Sequence, residues 1–171
     1  MARPDLLSIP PFYRKYVESV EEEDLIPALI NSGNLTIDLI KSIPEASGDY
    51  RYALGKWSVK EVLVHMIDAE RIFAYRALRF GRNDKTELPG FEENDYAIAS
   101  NAGARKLYKI LEEYNNVRAA TIDLFGSLDE EALARTGFAN GTEITVSGIG
   151  FVIAGHETHH RNVLNERYFS K

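Results

Sequence analysis

Four histidines, His65, His156, His159 and His160, are the residues of this sequence best suited to chemistry. Near the end of the chain Val146, Ile149, Ile153, His156, His160 and Val163 recur at steps of three and four. That spacing puts His156 and His160 on one apolar helical face, about 40° apart at ~100° per residue. His159 falls about 60° to the other side of His156, at the rim of that face. Val62, His65, Ala69 and Ile72 repeat the pattern and turn His65 inward as well. A single inward histidine is ordinarily a hydrogen-bonded core residue. Three of them among Leu, Ile, Val and Phe need partners for their ring nitrogens, because an unpaired buried polar group is costly. Water or carboxylates could serve, but one transition metal shared by the three does so at less cost. Three imidazoles would leave coordination positions open for water or substrate, as catalytic rather than structural sites do. Imidazole ligation suits Zn, Ni, Fe or Cu, so residue type does not choose the ion.

His156-Glu157-Thr158-His159-His160 also satisfies H-E-x-x-H, in which a glutamate activates a zinc-bound water for proteolysis. The wider pattern fails, because Val163 and Glu166 stand where the longer protease signature needs glycine and a third histidine. Glu157, about 100° round the helix from His156, is therefore expected at the surface or bracing a ligand. Asp68, Glu157 and His159 are the residues placed to support the three imidazoles, with a solvated helix face as the plainer alternative for Asp68. Arg76, Arg79 and Arg118 read as ion-pair donors, with Arg118 also placed to meet an anionic substrate group. Tyr96, Tyr108 and Tyr114 could line a pocket, though aromatics at helical spacing are usually core. Trp57 reads as a packing anchor.

Positioning these residues requires long helices. Segments 24–43, 58–80, 104–125 and 146–169 carry apolar residues at three- and four-residue steps. Ser58-Val59-Lys60-Glu61 is a capping box that starts the second of them. Pro44 and Gly48 end the first, Gly81 ends the second and Gly126 ends the third. Residues 82–100 form a connection with a short helix near Asn94–Ser100, and another is expected at Asp129–Ala134. Gly137–Ser147 is read as a loop, the alternative being a small hairpin. Residues 1–23, with Pro4, Pro10 and Pro11, form an N-terminal arm with a short helix at Phe12–Val20, and residues 24–171 form the single domain. Four long helices joined by long connections describe an all-α four-helix bundle.

Composition narrows the function. The 171 residues are 44% hydrophobic and 27% charged, an ordinary globular balance. There is no cysteine, which excludes disulfides, thiolate-ligated metals and a cysteine nucleophile from this chain. Twenty Lys and Arg against 26 Asp and Glu give a net charge of −6, which argues against a nucleic-acid partner. No apolar run approaches the ~18 residues of a membrane span and the first residues lack a secretory pattern, so a cytoplasmic location is expected.

Trp57-Ser58-x-x-Glu61-x-x-x-His65-x-x-Asp68-x-Glu70, Phe73–Phe80, Pro89-Gly90-Phe91 and Gly155-His156-Glu157-x-His159-His160 together resemble the DinB/YfiT-like family over residues 24–169. The resemblance implies a four-helix bundle whose divalent metal is held by His65, His156 and His160, the three that periodicity also selects. It further implies a metal-dependent enzyme for a small-molecule substrate. Family members include transferases and isomerases that use low-molecular-weight thiols such as bacillithiol or mycothiol, many are of unknown activity, and some form homodimers. A distant relative of the bundle occurs in iron-dependent ergothioneine-forming enzymes. The expected function is thus a thiol S-transferase or hydrolase, the alternative being a non-catalytic binding or stress-response bundle steadied by its metal.

Overall fold

The computed structural model describes residues 2–170. Seven α-helices and one hairpin follow in order: α1 (Pro11–Glu18), α2 (Leu25–Ser42), α3 (Val59–Gly81), α4 (Glu93–Ala99), α5 (Leu107–Gly126), α6 (Glu130–Ala134), β1 (Thr136–Ala139), β2 (Thr142–Thr145) and α7 (Val146–Val163). The bundle consists of α2, α3, α5 and α7. Around the ring α2 packs on α5, α5 on α3, α3 on α7 and α7 on α2. The consecutive helices α2 and α3 therefore face each other across the diagonal, as do α5 and α7. Each diagonal step needs chain to span it, which explains the long connections before α3 and after α5.

Local chemistry sets the boundaries. The Ser58 hydroxyl accepts from the Glu61 amide, and the Glu61 carboxylate accepts from the Ser58 amide, closing the capping box at the start of α3. The Thr145 hydroxyl accepts from the Gly148 amide and starts α7. Beyond Val163 the last helix widens into a π-helical turn, Leu164–Phe169, so the 24-residue helix expected there is not regular throughout. α5 begins three residues later than its spacing suggests, after a short 3₁₀ turn at Ala102–Ala104.

Gly137–Ser147 is not a loop. β1 and β2 pair antiparallel, with Thr136 opposite Thr145 and Ala139 opposite Thr142. The connection is Asn140-Gly141, with both residues at positive φ (53° and 71°), the backbone that a two-residue hairpin turn requires and that Asn-Gly tolerates. Leu88 docks on this hairpin, donating to the Phe138 carbonyl and accepting from the Asn140 amide. The connection after α3 is thereby pinned beside the hairpin, with Pro89 and Gly90 held over the bundle.

Residues 2–23 pack closely on the bundle. Ile9, Val17 and Val20 are buried in the same apolar cluster as the front halves of α2 and α7. A side chain at Gly155 on α7 would meet the Tyr16 carbonyl oxygen at 1.9 Å, so α1 crosses α7 at backbone contact.

The core is split. One apolar cluster gathers Leu25, Leu29, Phe73, Phe80, Phe125, Ile149 and Ile153, and the other gathers Ile40, Leu63, Ile67, Ile110 and Leu164. Between them every bundle helix carries polar groups on its inward stripe: Ser32 and Thr36 on α2, Glu70 on α3, Arg118 and Thr121 on α5, Glu157 and Arg161 on α7. All are buried. This polar layer across the bundle is where the functional side chains lie.

Candidate metal centre

His65 projects from α3, and His156 and His160 from successive turns of α7. His156 Nε2 lies 3.2 Å from His65 Nε2 and 3.1 Å from His160 Nε2. One ligand atom from each residue falls within a 4.8 Å cluster. The donor set suits a divalent transition metal. Atoms bonded to one ion at the ~2.0–2.1 Å of metal–imidazole bonds stand roughly 2.9–3.4 Å apart at angles of about 90–110°. Hydrogen bonding does not account for the cluster as well, since a neutral imidazole has one N–H and His156 Nε2 faces two other Nε2 atoms. Nor does charge. Burial pushes the His65 pKa down to about 4, and burial with the neighbouring imidazoles pushes those of His156 and His160 well below the usual range. All three are neutral at pH 7, the state in which imidazole binds a metal. His160 Nδ1 is buried with no hydrogen-bond partner among the described residues.

Aromatic rings fix the imidazoles. Trp57 tilts against His65 with ring centres 4.8 Å apart, and Tyr16 and Phe73 present edges to His156 at 5.5 and 6.1 Å. Trp57 is thus a wall of the centre as well as a packing anchor. The trio opens into a cleft of about 230 Å³ between α1, α3, α7 and the Pro89–Phe91 connection, lined also by Tyr13, Phe91, Arg76, Glu93 and Asn140.

The three supporting candidates lie in different places. His159 is half-buried at the cleft wall, packed against Tyr16 and His160 at 5.5 and 5.0 Å. Asp68 pairs with Arg71 at 3.6 Å on the α3 surface and makes no hydrogen bond to the imidazoles. Glu157 is 1% exposed, contrary to the surface position its spacing allowed. Its Oε1 accepts from the Tyr114 hydroxyl at 2.7 Å and lies 2.6 Å from Arg118 Nη2, while its Oε2 accepts from Ser32 Oγ at 3.2 Å. These partners come from α2 and α5, round the helix from the histidines. Burial, opposed by Arg118, raises the Glu157 pKa. A carboxylate so enclosed is unavailable to activate water at the histidines, which removes the protease interpretation of H-E-x-x-H.

Other polar positions also resolve. Arg118 is an ion-pair donor, not a substrate group. Its Nε and Nη2 hold the two oxygens of Glu70 at 2.9 Å, and its Nη1 donates to the Leu29 carbonyl and to Ser32 Oγ. Arg79 pairs with Asp84. Arg76 pairs with no carboxylate among the described residues; its Nη2 donates to the Pro89 carbonyl at 2.9 Å. Tyr114 is buried in the polar layer, while Tyr96 and Tyr108 are exposed. The cleft positions of Arg76, Phe73 and Tyr16 went unassigned from sequence. A signal existed for the first two, since His65, Ala69, Phe73 and Arg76 share one face of α3 at steps of four, four and three.

The comparisons with known proteins agree with this architecture. Among solved structures, the fold is similar to YfiT from Bacillus subtilis, described as "a probable metal-dependent hydrolase with an unusual four-helix bundle topology". The likeness has a TM-score of 0.66 at 16% identity and covers 96% of this chain and 91% of that one. No curated protein matches the sequence. No helix among the described residues is long and apolar enough to cross a membrane. The family model of the DinB superfamily matches residues 28–164, most of the bundle and all three histidines, and the chain belongs to that superfamily.

Proposed function

We propose that this chain is a metal-dependent enzyme acting on a small molecule at the His65–His156–His160 centre, as a hydrolase or as a transferase of a low-molecular-weight thiol. The convergence of three neutral Nε2 atoms at the end of an open cleft carries this reading. Superfamily membership and the likeness to YfiT support its metal-dependent part, and the family resemblance supports the thiol version. His65, His156 and His160 would hold a divalent Zn, Ni or Fe ion, which would supply Lewis acidity for activating a water or thiol nucleophile. With no cysteine in the chain, any thiolate arrives with a cosubstrate.

The chain's own groups do the rest. Tyr16, Trp57 and Phe73 keep bulk water from the outer faces of the imidazoles and hold their rotamers, so ligand geometry is set before anything binds. His159 stands beside the trio with one face on the cleft. Its pKa is lowered, chiefly by burial, so at neutral pH it has a free nitrogen lone pair to take the proton of an incoming nucleophile.

Elemental analysis of untagged wild type and His160→Ala, purified side by side, tests the centre. About one equivalent of Zn, Ni or Fe in wild type, lost in the variant, is expected. Absence of metal from wild type after dialysis against a metal mixture refutes the proposal. With the bound ion supplied, thiols plus small electrophiles, and small esters and amides, are then screened for turnover above metal in buffer. No turnover leaves the metal as a helix brace and overturns the enzyme.

A further inference from the structure

The cleft contains one strong cation that this chemistry does not use. Arg76 is 4% exposed, yet only its Nη2 meets a hydrogen-bond acceptor among the described residues, the Pro89 carbonyl at 2.9 Å. Its guanidinium carbon lies 5.7 Å from the centre of the Phe73 ring. A carbonyl and a ring face are acceptable neighbours for a cation, but neither supplies the countercharge that a buried guanidinium ordinarily has. Arg118, in the same bundle, shows the usual solution, with both oxygens of Glu70 on its fork. Arg76 is left with Nε and Nη1 unengaged by protein, in a side chain that lines the cleft. Glu93, the other charged residue of the lining, is exposed and makes no ion pair with it.

Arg76 also shares a helix face with His65. His65, Ala69, Phe73 and Arg76 line the cleft from α3, and the Phe73 ring touches both ends of it, 5.7 Å from the Arg76 guanidinium carbon and 6.1 Å from the His156 ring. Ala69 keeps the floor open between them. A molecule lying on Phe73, with Phe91 and Tyr13 as walls, would reach Arg76 at one end and the imidazoles at the other.

We propose that Arg76 is the docking group for a carboxylate of the substrate, so that the cleft takes small monoanions with a flat apolar body and presents their far end to the histidines. A guanidinium offers a planar fork matched to a carboxylate. Arg76 is the one guanidinium in the lining and Glu93 adds a negative charge there, so the site suits a single carboxylate better than a phosphate dianion. At about 230 Å³ the cleft lies below the ~300–1,000 Å³ typical of drug-sized ligands, which favours compact molecules. The proposal takes the role of the histidines from the proposed function, whereas the ion pair at Arg76 does not require it.

The test uses Trp57, the only tryptophan, whose place in the cleft wall makes its fluorescence a reporter of occupancy. Acetate, butyrate, benzoate and phenylacetate are titrated into chelated and into metal-loaded protein, each beside its neutral amide. The expected result is binding of the aromatic acids at least about tenfold tighter than of their amides, in the chelated protein too. Arg76→Gln should weaken acid binding by about 10- to 100-fold and abolish the preference, the loss expected for a charge-assisted pair. Arg76→Lys should keep the preference at reduced affinity, and it carries the test if Arg76→Gln does not fold. Equal affinity for acid and amide, unchanged binding in folded Arg76→Gln, or no binding by any of the four acids would overturn the proposal. Its failure is separable from that of the metal centre. Normal metal content without acid preference sinks the Arg76 assignment alone, and acid preference without metal sinks the other.

Discussion

Replacing Arg118 with methionine should be among the most damaging single changes in this protein, although the residue touches neither the histidines nor the cleft. Arg118, Glu70 and Glu157 are 4%, 2% and 1% exposed. Glu70 has no other polar partner among the described residues, so Arg118→Met strands a carboxylate in the middle of the bundle. It also removes donors from the Leu29 carbonyl and Ser32 Oγ, and a countercharge from Glu157. Breaking one side of a buried pair costs about 3–5 kcal/mol, against a total stability of about 5–15 kcal/mol for an ordinary domain. The assay is urea unfolding of chelated protein at pH 7, followed by circular dichroism and by Trp57 fluorescence. Two further results are expected if the loss comes from the stranded charge. Glu70→Gln on top of Arg118→Met should recover part of it, since two neutral groups are cheaper than one buried charge. The difference from wild type should also shrink as pH falls toward 4. Arg118 opposes the rise that burial imposes on the Glu157 pKa, so without it the folded Glu157 pKa stands further above the unfolded one, and the folded variant binds the extra proton and gains relative stability on acidification. A loss under about 1 kcal/mol at pH 7, or a double variant no more stable than the single one, would refute this account of the polar layer.

Two other outcomes follow from the same packing. In chelated wild type, stability should fall on acidification. The unfolded chain protonates His65 near pH 6.5 and the folded chain only near 4, so the unfolded state binds more protons between those values. At 1.36 kcal/mol per pKa unit, His65 alone accounts for about 2 kcal/mol lost by pH 5, with His156 and His160 acting in the same direction. Urea titrations at pH 7, 6 and 5 measure it, and a flat profile contradicts buried neutral imidazoles. Gly155→Ala should destabilise by about 3 kcal/mol or more, because the new methyl would meet the Tyr16 carbonyl oxygen at 1.9 Å and neither backbone can give way. Gly126→Ala, with open space around it, is the control and should be neutral.

Much of this molecule is legible in its sequence because its signals are local. The capping box at Ser58 and Glu61, the glycine and proline stops, and the helical phase of His65, His156 and His160 all need only neighbours within a turn or two. The hairpin was legible in principle from Asn140-Gly141, but each strand has four residues and one buried face, too short for alternation to show. Glu157, Arg118 and Arg76 are different. Spacing says which way each points along its own helix, but not which helix stands there. The diagonal placement of α2 opposite α3 decides that α2 and α5 meet Glu157, and nothing local to residue 157 encodes it.

The interleaving on α7 shows why a motif is a poor guide here. His156 and His160 are one i, i+4 pair and Glu157 and Arg161 another, advanced by a single residue and so by ~100°. The first pair faces α3 and the cleft, and the second faces the polar layer, where Arg161 donates to the Ser32 carbonyl and Thr36 Oγ1. Any rotation of α7 that swung His156 and His160 off the centre would drag Glu157 away from Tyr114, Ser32 and Arg118 into apolar surroundings, at the penalty of an unpaired buried carboxylate. The polar layer thereby fixes the rotation of α7 about its axis, and with it the direction of two of the three imidazoles. The glutamate of H-E-x-x-H acts in this fold through the helix that carries the ligands, not on a water at the centre.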